Sequence, residues 1–312
     1  MTPPITAETW PSLPLEAWSD TCATLHLWTQ IVGKIRLAHT PRTNHSWHVT
    51  LYVTPTGLTT GSIPYSARAF QIDFDFVAHE IKIHCDDGRA AGFPLQPQSV
   101  AAFYRRVKEA MKRLDLEVKI YPKPNEITNA VPFDQDEAHA TYDAEYANRF
   151  WRVLLQSDRI FKKFRARFVG KCSPVHLFWG AFDLAVTRFS GRGAPLHPGG
   201  APNMPVRVMQ EAYSHEVSSC GFWPGSEQFP HPVFYSYCYP TPPEFSQQTA
   251  KPNEAFYSNE MGEFMLLYEA VQRSDDPEDT LMQFLQSTYA AAANTGHWDR
   301  KALECDFSRF ER

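Results

Sequence analysis

Five charged side chains, Lys171, His176, Asp183, Arg188 and Arg192, fall within one strongly aromatic stretch, residues 170–192. A charge buried alone among aromatics costs several kcal/mol, so each of these groups must be paired or face a cavity. An Asp183–Arg188 pair would satisfy two of them with no function attached; a site built from the same residues fits equally well. A second density, residues 213–225, sets His215 beside Glu216. On a strand these neighbours face opposite sides, with Ser214, Glu216, Ser218 and Cys220 on one face and Tyr213, His215, Val217 and Ser219 on the other. A third density, Asn44 to His48, holds His45 and His48, which also diverge if extended. His176 and His215 with a carboxylate would make a general-base or metal set, provided their strands are neighbours. His48 would then be a further ligand, and histidines hydrogen-bonded at a sheet end are the plainer alternative. Cys172 and Cys220 would act as nucleophiles only beside a base, and buried inert thiols are commoner.

No stronger signature competes with these clusters. The chain lacks G-x-G-x-x-G, a P-loop, H-E-x-x-H, zinc-finger spacing and a G-x-S-x-G elbow.

The elements that must position these residues are readable from periodicity. Apolar residues at helical spacing over 15–37 predict a helix stopped before Pro41, and residues 47–53 predict a strand. Phe70, Ile72, Phe74 and Phe76 alternate with Asp73 and Asp75, the clearest strand pattern in the chain. Residues 80–85 are expected as its hairpin partner, closed by Asp86-Asp87-Gly88. A helix follows over 97–114, then a Pro-rich linker over 121–141, then a long helix over 142–168 with a basic outer face expected to be solvated. Strands are expected at 174–179, 182–189, 213–222 and 233–239, and helices at 258–272 and 277–294, the last capped by Asp276 with Pro277 at its first position.

This order predicts an α+β fold with two similar halves, 1–120 and 142–312, each a helix–antiparallel sheet–helix unit packed into one body. The match of Ile31-Val-Gly-Lys34 to Phe168-Val-Gly-Lys171, each followed by a histidine-bearing strand, points to an internal duplication. It would give His48 and His176 equivalent places.

Composition bounds the partners. The formal charge of 30 − 35 = −5 gives no electrostatic reason to expect nucleic acid, and no apolar run approaches the roughly 20 residues of a membrane span. The start shows no basic region followed by an apolar one, and the six cysteines include no C-x-x-C pair. Free thiols in a cytoplasmic protein are therefore expected. The 25 prolines among 312 residues, about 8%, exceed the usual share of about 5%, and they collect in the linker and in loops of the second half.

Four stretches resemble a bacterial family of proteins without assigned function: TLHLWTQIVGK (24–34), NHSWHVTLYVT (44–54), GKCSPVHLFWGAFDLAVTRFSGR (170–192) and EAYSHEVSSCGFWPG (211–225). The resemblance runs from about Trp10 to Leu303 and implies a single complete unit, with no activity, substrate or cofactor attached.

From the residues themselves we expect an enzyme acting on a small molecule between the halves, under Pro/Gly loops at 191–205 and 224–232. His176 and His215 would serve as base or metal ligands, Glu216 or Asp183 would orient or coordinate, and Arg188 and Arg192 would hold an anionic group. Lys171 and Trp179 complete the expected substrate contacts. The cofactor is left open, a transition metal or haem, as is the oligomeric state. The alternatives are a binding protein for an apolar or haem-like ligand and a protein-interaction module.

Overall fold

The computed structural model describes residues 9–306. Helix α1 (Ser19–His39) comes first, then a one-turn helix at Asn44–Ser46 where His45 and Ser46 both take φ 56°. Six strands follow: β1 (Tyr52–Thr54), β2 (Gly57–Thr59), β3 (Ile63–Tyr65), β4 (Arg68–Asp75), β5 (Glu80–Cys85) and β6 (Ala90–Pro94). They form an antiparallel sheet ordered β1-β2-β4-β5-β6, with β3 also paired to β4. The alternation in β4 has its expected effect: Phe70, Ile72 and Phe74 are buried. Helix α2 (Val100–Arg113), capped by the Ser99 side chain, lays Phe103 against Phe74 and Phe93.

The second set begins with α3 (Ala144–Ala166), capped by Asp143. Next come β7 (His176–Phe178), β8 (Asp183–Gly193), α4 (Val206–Ala212), β9 (His215–Trp223), β10 (Val233–Tyr239), β11 (Phe256–Ser258) and β12 (Glu263–Leu267). Helices α5 (Tyr268–Gln272), α6 (Pro277–Thr295) and α7 (Arg300–Leu303) close the described chain. The sheet runs β11-β12-β10-β9-β8-β7, all antiparallel. Period two sorts its residues. Leu184, Val186, Phe222 and Phe234 turn to α3 and α6, while Asp183, Thr187, Ser219 and Tyr235 turn the other way.

The two sheets meet edge to edge. Leu51 and Leu177 exchange both backbone hydrogen bonds at 2.9 and 2.8 Å, and Trp151 of α3 donates to the Thr54 carbonyl at 3.0 Å. One apolar core runs through both sets of elements. Among the described residues no helix is long and apolar enough to cross a membrane.

The α+β class is as expected, and several details differ. Residues 258–272 form the strand β12 and the short α5 in place of a helix, because the apolar run Phe264–Leu267 pairs with β10. A short apolar run carries no periodicity to separate the two states. The expected strand from Trp47 starts only at Tyr52, since two residues with positive φ precede it. Asp86-Asp87-Gly88 joins β5 to β6, not β4 to β5. A long helix, a six-stranded sheet and a closing helix occur in each half, but α4 interrupts the strands of the second, and the two Gly-Lys pairs are not equivalent. Gly33 lies inside α1, where the Trp179 ring occupies the space a β-carbon would need, and Gly170 lies beyond α3. His176 opens β7, whereas His48 precedes its strand.

Candidate active site

The polar face of the second sheet floors a cleft of about 1800 Å³. That exceeds the roughly 300–1,000 Å³ of ordinary ligand pockets. Helix α1 contributes His26 and Lys34 to its wall, and residues 121–131 contribute Glu126. Ala201, Met204 and Pro205 from one Pro/Gly loop, and residues 224–228 with Pro230 from the other, line the cleft. The segment expected as a linker, 121–141, anchors itself through the buried Phe133 and through Asn125, which bonds Gln30 and Asn203.

Asp183 sits at the start of β8, buried at the cleft floor, and accepts a hydrogen bond from the Tyr235 hydroxyl. That contact crosses the intervening strand. Gly221 of β9 pairs with Tyr235 on one side and Ala185 on the other, and a β-carbon there would overlap the Tyr235 ring and the Leu184 carbonyl. Only glycine lets the tyrosine lie across β9 to reach the carboxylate. Gly221→Ala is therefore expected to cost about 1–3 kcal/mol by overpacking and to break the Tyr235–Asp183 contact. Chemical denaturation checks the stability, and an unchanged midpoint would show that the floor relaxes freely.

Two further carboxyls share this environment. Burial pushes Asp183 up to about 6, and burial with the nearby Asp183 charge pushes Glu126 up to about 7 and Glu263 up to about 8. Among the described residues none of the three forms an ion pair with a Lys, Arg or His, so nothing opposes these shifts except hydrogen bonds to Asp183. Hydroxyls fill the space beside them: Tyr213 with Tyr237 at 2.8 Å and Thr187 with Ser219 at 2.8 Å. Burial lowers His26 to about 4, so its ring is neutral where it bonds the Gly180 carbonyl at 2.8 Å. Burial thus moves all three floor carboxyls toward neutrality.

Residues 10–305 match a family described as a family of unknown function, DUF5996. The chain belongs to this family. No curated protein and no solved structure matches it.

In this DUF5996 chain the residues expected from sequence scatter. Asp183, Trp179 and His48 line the cleft. Trp179 donates its indole N–H to the Val49 carbonyl at 2.7 Å. His176 is fully buried, hydrogen-bonded to Thr50 at 3.2 Å and lowered to about 3 by burial, which makes it a neutral core histidine. His215 stands edge-on to His45, with ring centroids 5.9 Å apart. Glu216 points away from His215, as adjacent strand residues must, and holds Arg192 at 2.7 Å; Arg192 also bonds the Gly296 and His297 carbonyls at the end of α6.

Arg188 takes the opposite face of β8 from Asp183, so the pair that sequence left open does not form. Its guanidinium stacks on Phe164 at 3.5 Å and donates to the Phe164 carbonyl. Lys171 approaches His45 Nε2 at 2.5 Å, over the Phe189 and Trp47 rings. Of the expected set His176, His215, Glu216 and Asp183, only Asp183 lines the cleft. Among the described residues no three His, Cys, Asp or Glu side chains are grouped to hold a metal ion, so His48, His176 and His215 do not converge as ligands. Burial pushes the thiols of Cys172 and Cys220 up, Cys172 to about 11, which leaves both protonated at neutral pH.

Glu126, Glu263 and Tyr235 are not singled out by sequence, and Lys34 enters there only through the Gly-Lys match. The alternation of Tyr235, Tyr237 and Tyr239 was an available signal of a phenolic sheet face. Glu126 had none, because its place depends on how a Pro-rich segment folds back onto α1.

Proposed function

We propose that this chain is an enzyme acting on a small molecule in the cleft by general acid–base chemistry at Asp183, Glu126 and Glu263. The observation that carries this is Asp183 buried on the floor, held by Tyr235 and flanked by two carboxyls raised toward neutrality. Carboxyls pushed to different levels can divide the work. At pH 7 Asp183 is the ionised member and acts as base, while Glu263 retains its proton and acts as acid. The Tyr235 hydroxyl fixes the direction in which the Asp183 lone pairs face. Phenol and hydroxyl groups of the floor suit a polar substrate; an apolar or haem-like ligand would leave these carboxyls unsatisfied. Six free cysteines fit a reducing, cytoplasmic setting.

The test is turnover of a mixed metabolite panel, followed by mass spectrometry, with wild-type protein beside Asp183→Asn. Consumption of a compound by the wild type alone supports the proposal. No consumption of any compound, or equal consumption by both, overturns it.

The same carboxyls set a pH dependence of stability. Their folded pKa values lie above the ordinary carboxyl range, so their stabilisation is complete below about pH 4 and is lost as pH rises toward 8. His26 and His176 act in the opposite sense. Lowered to about 4 and about 3, they favour the fold above about pH 6.5 and lose that contribution as pH falls. Between pH 6.5 and about 7.5 the carboxyls dominate, and stability is expected to fall with rising pH. Above that window Lys34, lowered to about 8 by burial, begins to favour the fold as pH rises. Urea titrations at the two ends of that window check it, and Glu263→Gln should flatten the slope.

A further inference from the structure

Lys34 stands apart from the carboxyl floor. It lies in α1 with its side chain on the cleft wall, only 4% exposed. Three rings surround Nζ, those of Tyr121 at 5.6 Å and of Phe133 and Trp179 at 5.9 Å. Nζ donates a hydrogen bond of 2.5 Å to Asn125 Oδ1. The amide is fixed in that orientation: its Nδ2 donates to the Asn203 carbonyl at 2.6 Å, and its backbone is clamped from both sides by Gln30.

A neutral amide therefore takes the place a carboxylate would usually fill, and among the described residues no carboxylate forms an ion pair with the ammonium. Burial lowers this amine to about 8, which leaves a usable free-amine fraction at neutral pH. The electron-rich ring faces and the amide oxygen oppose an anion at this point, so an anchor for a carboxylate or phosphate is the poorer assignment. An amine desolvated in an aromatic pocket and facing a cleft is the arrangement that makes lysine a nucleophile.

We propose that Lys34 captures an aldehyde or ketone substrate of the cleft as an imine. The proposal rests on the cleft being the working site. The Nζ lone pair attacks the carbonyl carbon, a C–N bond forms as the carbonyl π bond opens, and the oxygen takes up a proton from nitrogen to give a carbinolamine. The C–O bond then breaks and water leaves with the second amine proton as the C=N bond forms. One water is released and no oxidant or reductant is consumed. Asn125 positions the amine through the hydrogen bond that it accepts.

The experiment is incubation of the purified protein with benzaldehyde or acetone, reduction with borohydride, and peptide mapping by mass spectrometry. The adduct is expected at Lys34 at least about tenfold faster than at any exposed lysine, and it should be absent in Lys34→Met. Asn125→Asp keeps the lysine but sets a carboxylate against it, which holds the amine protonated over roughly one or more further pH units. That variant should trap at least about tenfold more slowly. Adducts confined to exposed lysines, or equal trapping in Asn125→Asp and wild type, overturn the imine. Either result leaves the acid–base chemistry standing, because Asp183→Asn tests that separately by turnover.

Discussion

Asp183→Asn is expected to fold as the wild type does and to lose turnover of the cleft substrate by about 10²–10⁴-fold, the range of a positioned general acid or base. Asparagine keeps the shape and can still accept the Tyr235 hydroxyl, so the floor should retain its packing. It cannot take or give a proton. It also removes the charge that raises Glu126 and Glu263, so those two carboxyls should ionise at lower pH in the variant. Circular dichroism and the denaturation midpoint separate lost chemistry from lost fold. A variant that is folded and still turns over its substrate at the wild-type rate would remove Asp183 from the mechanism.

The second large effect is structural. Trp28→Ala is expected to cost about 3–5 kcal/mol, the usual range for emptying a buried tryptophan site. Trp28 is fully buried in α1, stacked on Phe103 of α2 at 4.6 Å with a 7° interplanar angle, and packed on Tyr142 at 5.5 Å. Phe103 stacks in turn on Phe74 of β4, and Tyr142 immediately precedes α3 and its Asp143 cap. One indole thus ties the first sheet, its covering helix and the start of the second unit to α1. The same helix carries His26 and Lys34 to the cleft, so the loss should reach the site as well. At about 2–4 °C per kcal/mol for a chain of this size class, the melting temperature should fall by roughly 6–20 °C. A fall under about 2 °C in a calorimetric scan would show that the stack is dispensable.

How much of this was readable beforehand depended on periodicity. Phe70, Ile72 and Phe74 announced their strand and its buried face, and Asp276 with Pro277 announced the start of the last long helix. Period two also decided matters that were left open at first. Asp183 and Arg188, five residues apart on a regular strand, had to face opposite sides, which ruled out their pairing and sent Arg188 into the core beneath α3. Clustering along the chain was the weaker guide. His176, Arg188 and Arg192 are near Asp183 in sequence but are drawn away by Thr50, Phe164 and Glu216, partners from other elements.

The carboxyls that join Asp183 come from a Pro-rich segment and from a strand 80 residues further on. Nothing local marks either of them. Glu126 reaches the cleft because Asn125 is held by Gln30 of α1 and Asn203 of the roof loop, and Glu263 because β12 pairs with β10. These are tertiary consequences that no spacing rule encodes.

The central claim is that the cleft floor exchanges protons near neutral pH, and carboxyl-carbon NMR titration measures that directly. Three carboxyl resonances titrating between about pH 6 and 8, each removed in turn by Asp183→Asn, Glu126→Gln and Glu263→Gln, is the predicted result. Titration of every side-chain carboxyl below about pH 5, in the ordinary carboxylate range, would contradict it.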